Sequence, residues 1–243
     1  MKILSTNLSY KPIRYENNLK KNQNSKVNFT GIYSDMLKST YDVDIIRYLE
    51  RFENDLMRNK DKIYEYLDSN TILYNDKEQT ITEHLRDMFD LDTTEYNSSG
   101  TLLHKTSRPQ EIIQNGFDVN KINITNFGPG IYFSQSEGEL TIYSGETMKA
   151  DFEGSVCYGK NLDRYNAINS HATNLIRKMM KQKFEFGPTT MAEQEVLRKF
   201  VHEYSRRKIA EDLGIDASYN RGGQYFIVFN PEKLSNIRIQ NMY

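Results

Sequence analysis

TLLHKTSRPQEIIQNGFDVNKINITNFGPGIYFSQS, residues 101–136, sets two short apolar runs around a polar middle rich in turn formers. Leu102 and Leu103 read as a buried strand that delivers His104 to its end. Ser107 reads as a helix N-cap, with Pro109 in the first turn. Ile112 and Ile113 are that helix's apolar side, and Gly116 ends it as a C-cap. Gly128, Pro129 and Gly130 form a tight turn. Residues 131–133 follow as a short strand, with Tyr132 facing opposite Ile131 and Phe133. Tyr143 comes eleven residues after Tyr132, past a loop or short helix.

A third segment, IDASYNRGGQYFIVFNPEKL, spans residues 215–234. Residues 220–223 read as a hairpin turn and 224–229 as a strand stopped by Asn230 and Pro231. Alternation puts Gln224, Phe226 and Val228 on one face and Tyr225, Ile227 and Phe229 on the other. Two helical stretches, roughly 163–182 and 191–212, precede this strand. Ile168, Ala172, Leu175, Ile176 and Met179 make the apolar face of the first; Val196, Phe200 and Tyr204 make that of the second. Cys157 lies in another short apolar run and reads as a small buried hydrophobe. Strands and helices do not alternate regularly, so the fold class is α+β and not a doubly wound parallel sheet. There is no GxGxxG and no GxxxxGK[ST] phosphate loop.

Before Gly100 the texture is helical. Ile45, Leu49, Phe52 and Leu56 make one face over 42–68, continued by Ile63 and Leu67. A strand-like run at 72–74 precedes a helix over 80–89, with Ile81, Leu85, Met88 and Phe89 on one side. LDTTEYNSS, residues 91–99, is polar and turn-forming, which places a boundary there. The expected organisation is a loosely packed tail (1–30), a helical N-terminal region (31–97) and a second domain (98–243). The tail is rich in Asn, Lys, Ser and Tyr, and within 17–26 only Leu19 is available to bury.

The 243 residues carry 32 Lys and Arg against 33 Asp and Glu, a net charge of −1. That balance argues against a chain whose main task is coating nucleic acid or an anionic membrane. A single cysteine excludes an intramolecular disulfide and a Cys-rich zinc site. No HExxH, EF-hand loop or Cys/His cluster is present, so no metal is expected. No apolar run approaches ~18 residues, and the N-terminus lacks a Sec-type signal. The expectation is a soluble protein, cytoplasmic or exported by a route without such a signal. The basic runs at 177–183 and 206–208 read as solvated helix faces. His84, His171 and His202 read as surface or satisfied core residues.

His104 in LxHxTS, then Gly130-Ile-Tyr-Phe, then the strand Gln224-Tyr-Phe-Ile-Val-Phe-Asn-Pro, resembles the catalytic domain of ADP-ribosyltransferases. The likeness is to the diphtheria-toxin and poly(ADP-ribose) polymerase branch with its His-Tyr-Glu triad, and it covers roughly 98–240. The gaps, 28 residues from His104 to Tyr132 and 92 from Tyr132 to Gln224, suit that branch. The resemblance implies split antiparallel sheets around an NAD cleft with flanking helices. It implies that His104 bonds the adenosine ribose and that the Lys105 backbone reads the nicotinamide amide. Tyr132 would line the nicotinamide pocket and Tyr143 would stack on its ring. Thr106 and Gly130 complete the NAD-contacting set, and Ser134 or Ser136 would offer a hydroxyl to the carboxamide. Tyrosine faces suit a flat aromatic cation.

The departure is Gln224, which stands where the family has its catalytic Glu. Breaking the nicotinamide–ribose bond passes through an oxocarbenium-like state that a carboxylate stabilises. Gln keeps the hydrogen bond and loses the charge. Glu137, Glu139, Glu146 and Glu153 are alternative carboxylates that spacing does not separate, and an alignment shift would bring in Glu232. The implied activity is transfer of single ADP-ribose units from NAD to a macromolecule, with a protein as the expected acceptor. The alternative is an inert NAD- or ADP-ribose-binding module. The related tRNA 2′-phosphotransferase would need several His and Arg residues converging on phosphates, and only His104 has such a place. The N-terminal helices are expected to regulate the site or bind its target.

Overall fold

The computed structural model describes residues 40–74, 76–118, 128–180, 188–220 and 225–240. The chain opens with helices α1 (Val43–Arg58) and α2 (Lys60–Ser69). Asp42 caps α1 by accepting the Asp44 and Ile45 N–H groups at 3.1 and 2.9 Å. The helical stretch expected over 42–68 is broken at Asn59. Its side-chain amide donates to the Asp55 carbonyl at 2.8 Å, competing with the helical ladder. A hairpin of β1 (Thr71–Tyr74) and β2 (Lys77–Thr80) follows, then the short helix α3 (Ile81–Arg86). Thr80 and Glu83 close a reciprocal capping box at the start of α3.

The next strand, β3 (Phe89–Thr106), is 18 residues long. It corrects the turn expected at 91–99. Its register slips between Asp90 and Glu95 and again before Ser98. Thr93 and Thr94 return their hydroxyls to the Asp90 and Leu91 carbonyls. Such irregularities on an edge strand erase the alternation that a sequence reading needs. Helix α4 (Pro109–Asn115) starts one residue later than expected. Ser107 is not its cap: the Thr106 hydroxyl accepts the Arg108 N–H at 3.1 Å, and Arg108 occupies the cap position. Its expected apolar side is also wrong, since Ile112 is half-buried and Ile113 is 42% exposed.

The main sheet adds β4 (Ile131–Phe133), β5 (Glu146–Gly159), β6 (Ala217–Asn220), β7 (Phe226–Val228) and β8 (Leu234–Ile239). Its order is β3-β5-β6-β7-β4, with β8 on β5. β5 and β6 run parallel and the other pairs antiparallel, so the class is α+β with a mixed sheet. Leu103 and Ser134 exchange two backbone bonds of 2.8 Å, so the last strand returns to the first. The inner face holds Leu102, Ile131, Phe133, Phe152, Phe226 and Val228.

Two further helices, α5 (Tyr165–Met179) and α6 (Pro188–Arg207), cover the other side together with α1, α2 and α3. The expected stretch 191–212 is a helix and then a π-helical turn over Lys208–Asp212. Ile227 and Phe229 enter the helical core while Phe226 and Val228 enter the inner one. That is the two-faced pattern expected of this strand. The basic runs are not simply solvated. Arg177 is 6% exposed, and Arg206 is paired with Glu203 at 2.9 Å beneath the surface.

Asp216 ties the sheet to the chain leaving it. Its carboxylate accepts the Ser155 N–H at 2.9 Å, the Ser155 hydroxyl at 3.1 Å and the Asn230 amide at 2.9 Å. Asp216→Ala strands the Ser155 N–H and the Asn230 amide, while the Ser155 hydroxyl keeps the Gly214 carbonyl at 2.5 Å. The expected cost is about 2 kcal/mol, from the usual worth of bonds to a charged acceptor. Urea unfolding checks this, and a midpoint equal to wild type would refute it.

Candidate functional site

Tyr132 is the junction of the site. β4 pairs with β7 so that Tyr132 lies opposite Ile227. Pleating turns Ile131 and Phe133 to the inner core and Tyr132 to the opposite, helical side, as expected. The Tyr132 carbonyl receives His104 Nδ1 at 2.8 Å. Its hydroxyl donates to the Gly128 carbonyl at 2.8 Å, closing the turn before β4 on itself. Its ring meets that of Tyr225 edge-on, with centroids 6.0 Å apart.

His104 sits near the end of β3, opposite Met148. Phe117 and Phe133 pack its ring at 5.2 and 5.4 Å. A carbonyl only accepts, so Nδ1 carries the proton and the neutral ring presents an Nε2 lone pair. Burial pulls the imidazole pKa below its ordinary value, partly offset by the bond to the Tyr132 carbonyl. His104 is therefore a neutral, oriented acceptor at pH 7.

Tyr143 follows a 3₁₀ turn, Gly138–Ile142, and lies 44% exposed. Its hydroxyl is 3.4 Å from that of Tyr225, and this bond, with some burial, raises its pKa. Tyr132, Tyr225 and Tyr143 thus form a linked aromatic group. Lys105 reaches the same 3₁₀ turn, its Nζ 3.5 Å from the Leu140 carbonyl. Thr106 is occupied as the partner of the Arg108 N–H. Gly145 lets the chain re-enter the sheet over Thr106. With φ at 110°, it lies so close that a Cβ would fall 2.3 Å from the Thr106 carbonyl oxygen.

Gly130 is also required by contact. A Cβ there would lie 2.6 Å from Ile227 Cγ2 and 2.8 Å from the Val228 carbonyl oxygen. Its N–H donates to His202 Nε2 at 3.1 Å. Ser134 is buried, and its one hydroxyl proton has the Ser136 carbonyl at 2.8 Å and the Glu139 carboxylate as alternative acceptors. Ser136 is exposed, and its N–H returns to the Ser134 hydroxyl at 3.0 Å. Gln224 lies outside the described residues.

The acidic alternatives separate in space. Glu139 is held at the end of β4 through Ser134, and Glu137 accepts from Gln240. Glu146 opens β5 opposite Thr106. Glu153 pairs with Ser99, five residues along β3 from His104, or about 17 Å at the usual strand rise. Glu232 lines the same groove as Glu153, with Asn97 and Lys233.

Sequence reasoning missed Tyr225 and His202. Tyr225 carried one available signal: it directly follows Gln224 and leads the strand facing β4. His202 carried none, because a histidine in an amphipathic helix gives no hint of a partner on a distant turn.

Fold and site together define an α+β protein with a curled mixed sheet and a His–Tyr junction between β3 and β4. No protein-family model, curated protein or solved structure matches the chain. Among the described residues no helix is long and apolar enough to cross a membrane.

Proposed function

We propose that the chain binds NAD in an ADP-ribosyltransferase-like cleft and transfers single ADP-ribose units to a macromolecular acceptor, in the first instance a protein. One observation supports this reading above the others. His104 and Tyr132, drawn from two separate motifs, meet through a 2.8 Å hydrogen bond, and the tyrosine leads on to Tyr225 and Tyr143.

In this reading His104 Nε2 accepts a ribose hydroxyl and the tyrosine rings flank the nicotinamide cation. The C1′–N bond breaks and nicotinamide leaves with the electron pair. The acceptor nucleophile then attacks C1′ and gives up its proton. Gln224 holds a sugar hydroxyl without charge, so single transfers are slow and chain extension is disfavoured. Gln224 also motivates the second reading, an NAD-binding module without turnover.

Incubation with labelled NAD tests the proposal, following nicotinamide release and label transfer to the protein itself and to a lysate. Transfer by wild type should fall at least ~100-fold in His104→Ala, the usual cost of misplacing a reacting group by about 1 Å. Binding without transfer would favour the inert module. No binding at millimolar NAD would overturn both readings.

A further inference from the structure

His202 and Arg206 lie one turn apart on α6 and reach two neighbouring strands. His202 Nε2 accepts the Gly130 N–H at 3.1 Å, at the entrance to β4. Arg206 donates to the Phe229 carbonyl, at the exit of β7. Glu203 holds the Arg206 guanidinium by two bonds of 2.9 Å, which fixes its direction. β4 and β7 pair with each other, Ile131 opposite Val228. One strand carries Tyr132 and the other is led by Tyr225.

We propose that α6 is a positioning element for this site, clamping β4 through His202 and β7 through Arg206 so that Tyr132 and Tyr225 keep their spacing. The inference rests on the NAD-site reading for its functional consequence, although the clamp itself does not. His202 is buried, with its ring edge-on to Tyr165 at 6.0 Å. Because Nε2 accepts, the neutral ring carries its proton on Nδ1, and that buried atom has no hydrogen-bond partner among the described residues. A leucine would avoid leaving a buried donor unpaired, but it would offer Gly130 nothing. The Gly130 N–H would then be a buried donor without an acceptor. Tyr132 follows two residues later, and its hydroxyl and carbonyl are tied to Gly128 and His104. A shift at Gly130 is therefore passed to both parts of the site.

The test compares wild type, His202→Leu and His202→Gln, whose Oε1 stands the same number of bonds from the backbone as Nε2. If the leucine variant does not fold, His202→Asn, too short to reach Gly130, replaces it. Amide hydrogen exchange is read at residues 128–133, and KM and kcat are read for NAD. His202→Leu should speed Gly130 exchange about 10-fold, as loss of one hydrogen bond implies. It should also raise KM about 10-fold with a smaller change in kcat, and His202→Gln should restore both. Unchanged Gly130 exchange in the leucine variant, or a glutamine variant as impaired as leucine, would overturn the clamp. If wild type neither binds nor turns over NAD, the functional reading fails, and the exchange result alone decides for or against the clamp.

Discussion

Gln224→Glu should release nicotinamide from NAD about 100- to 1000-fold faster than wild type, the range typical of one well-placed electrostatic group. The reason is charge. As the C1′–N bond lengthens, positive charge gathers on the ribose ring, and a carboxylate beside it lowers the barrier. An amide makes the same hydrogen bond and contributes only a dipole. On the proposed reading, affinity for NAD should change little, because the ground-state sugar carries no such charge and the substitution leaves the tyrosine rings in place. Steady-state release of labelled nicotinamide, with NAD titrated, separates the two effects. A variant no faster than wild type would remove Gln224 from the catalytic position. It would also turn attention to Glu139, the carboxylate held at the end of β4.

The second large effect is on stability against pH, and it comes from His202. Burial, aided by Lys199 and Arg206, lowers its pKa from 6.5 to about 3. The folded chain keeps the ring neutral while the unfolded chain protonates it below 6.5, so the unfolded state binds more protons between these values. Stability is thus full above that pH and falls as pH drops toward the folded pKa. At pH 4 the loss from this one residue is about 3 kcal/mol, at 1.36 kcal/mol per pKa unit. Urea unfolding at pH 7, 5 and 4 measures it. His202→Gln, which has nothing to titrate, should have a flatter profile than wild type by that amount. Parallel profiles would show that His202 is not the titrating group.

His104 is displaced in the same direction, by burial first. Its bond to the Tyr132 carbonyl survives protonation, but the Nε2 lone pair does not. Acid therefore removes the acceptor that the site presents while it lowers stability, and on the proposed NAD reading transfer should fall as pH decreases.

The sequence by itself determined the elements whose signals are local. The alternation in 224–229 separated Phe226 and Val228 from Ile227 and Phe229, because a two-residue period maps directly onto the two faces of a strand. Gly116 was legible as a helix end because only a few residues accept its positive φ of 75°. His104 and Tyr132 were singled out by motif, and their faces followed from the pleat. The tertiary structure alone decided what depends on distant partners. The stretch 91–99 became strand because β5 supplied hydrogen bonds to polar, bulged backbone. Arg177 and Arg206 were buried because neighbouring elements offered carbonyls, with Glu203 on α6 itself pairing with Arg206. The bond from His104 to the Tyr132 carbonyl, the approach of Tyr225 to Tyr143, and the reach of His202 to Gly130 each join residues 28 to 82 positions apart. No local period or propensity encodes such pairs. They exist because the curled sheet brings β3, β4 and β7 together and α6 packs across the strands it holds.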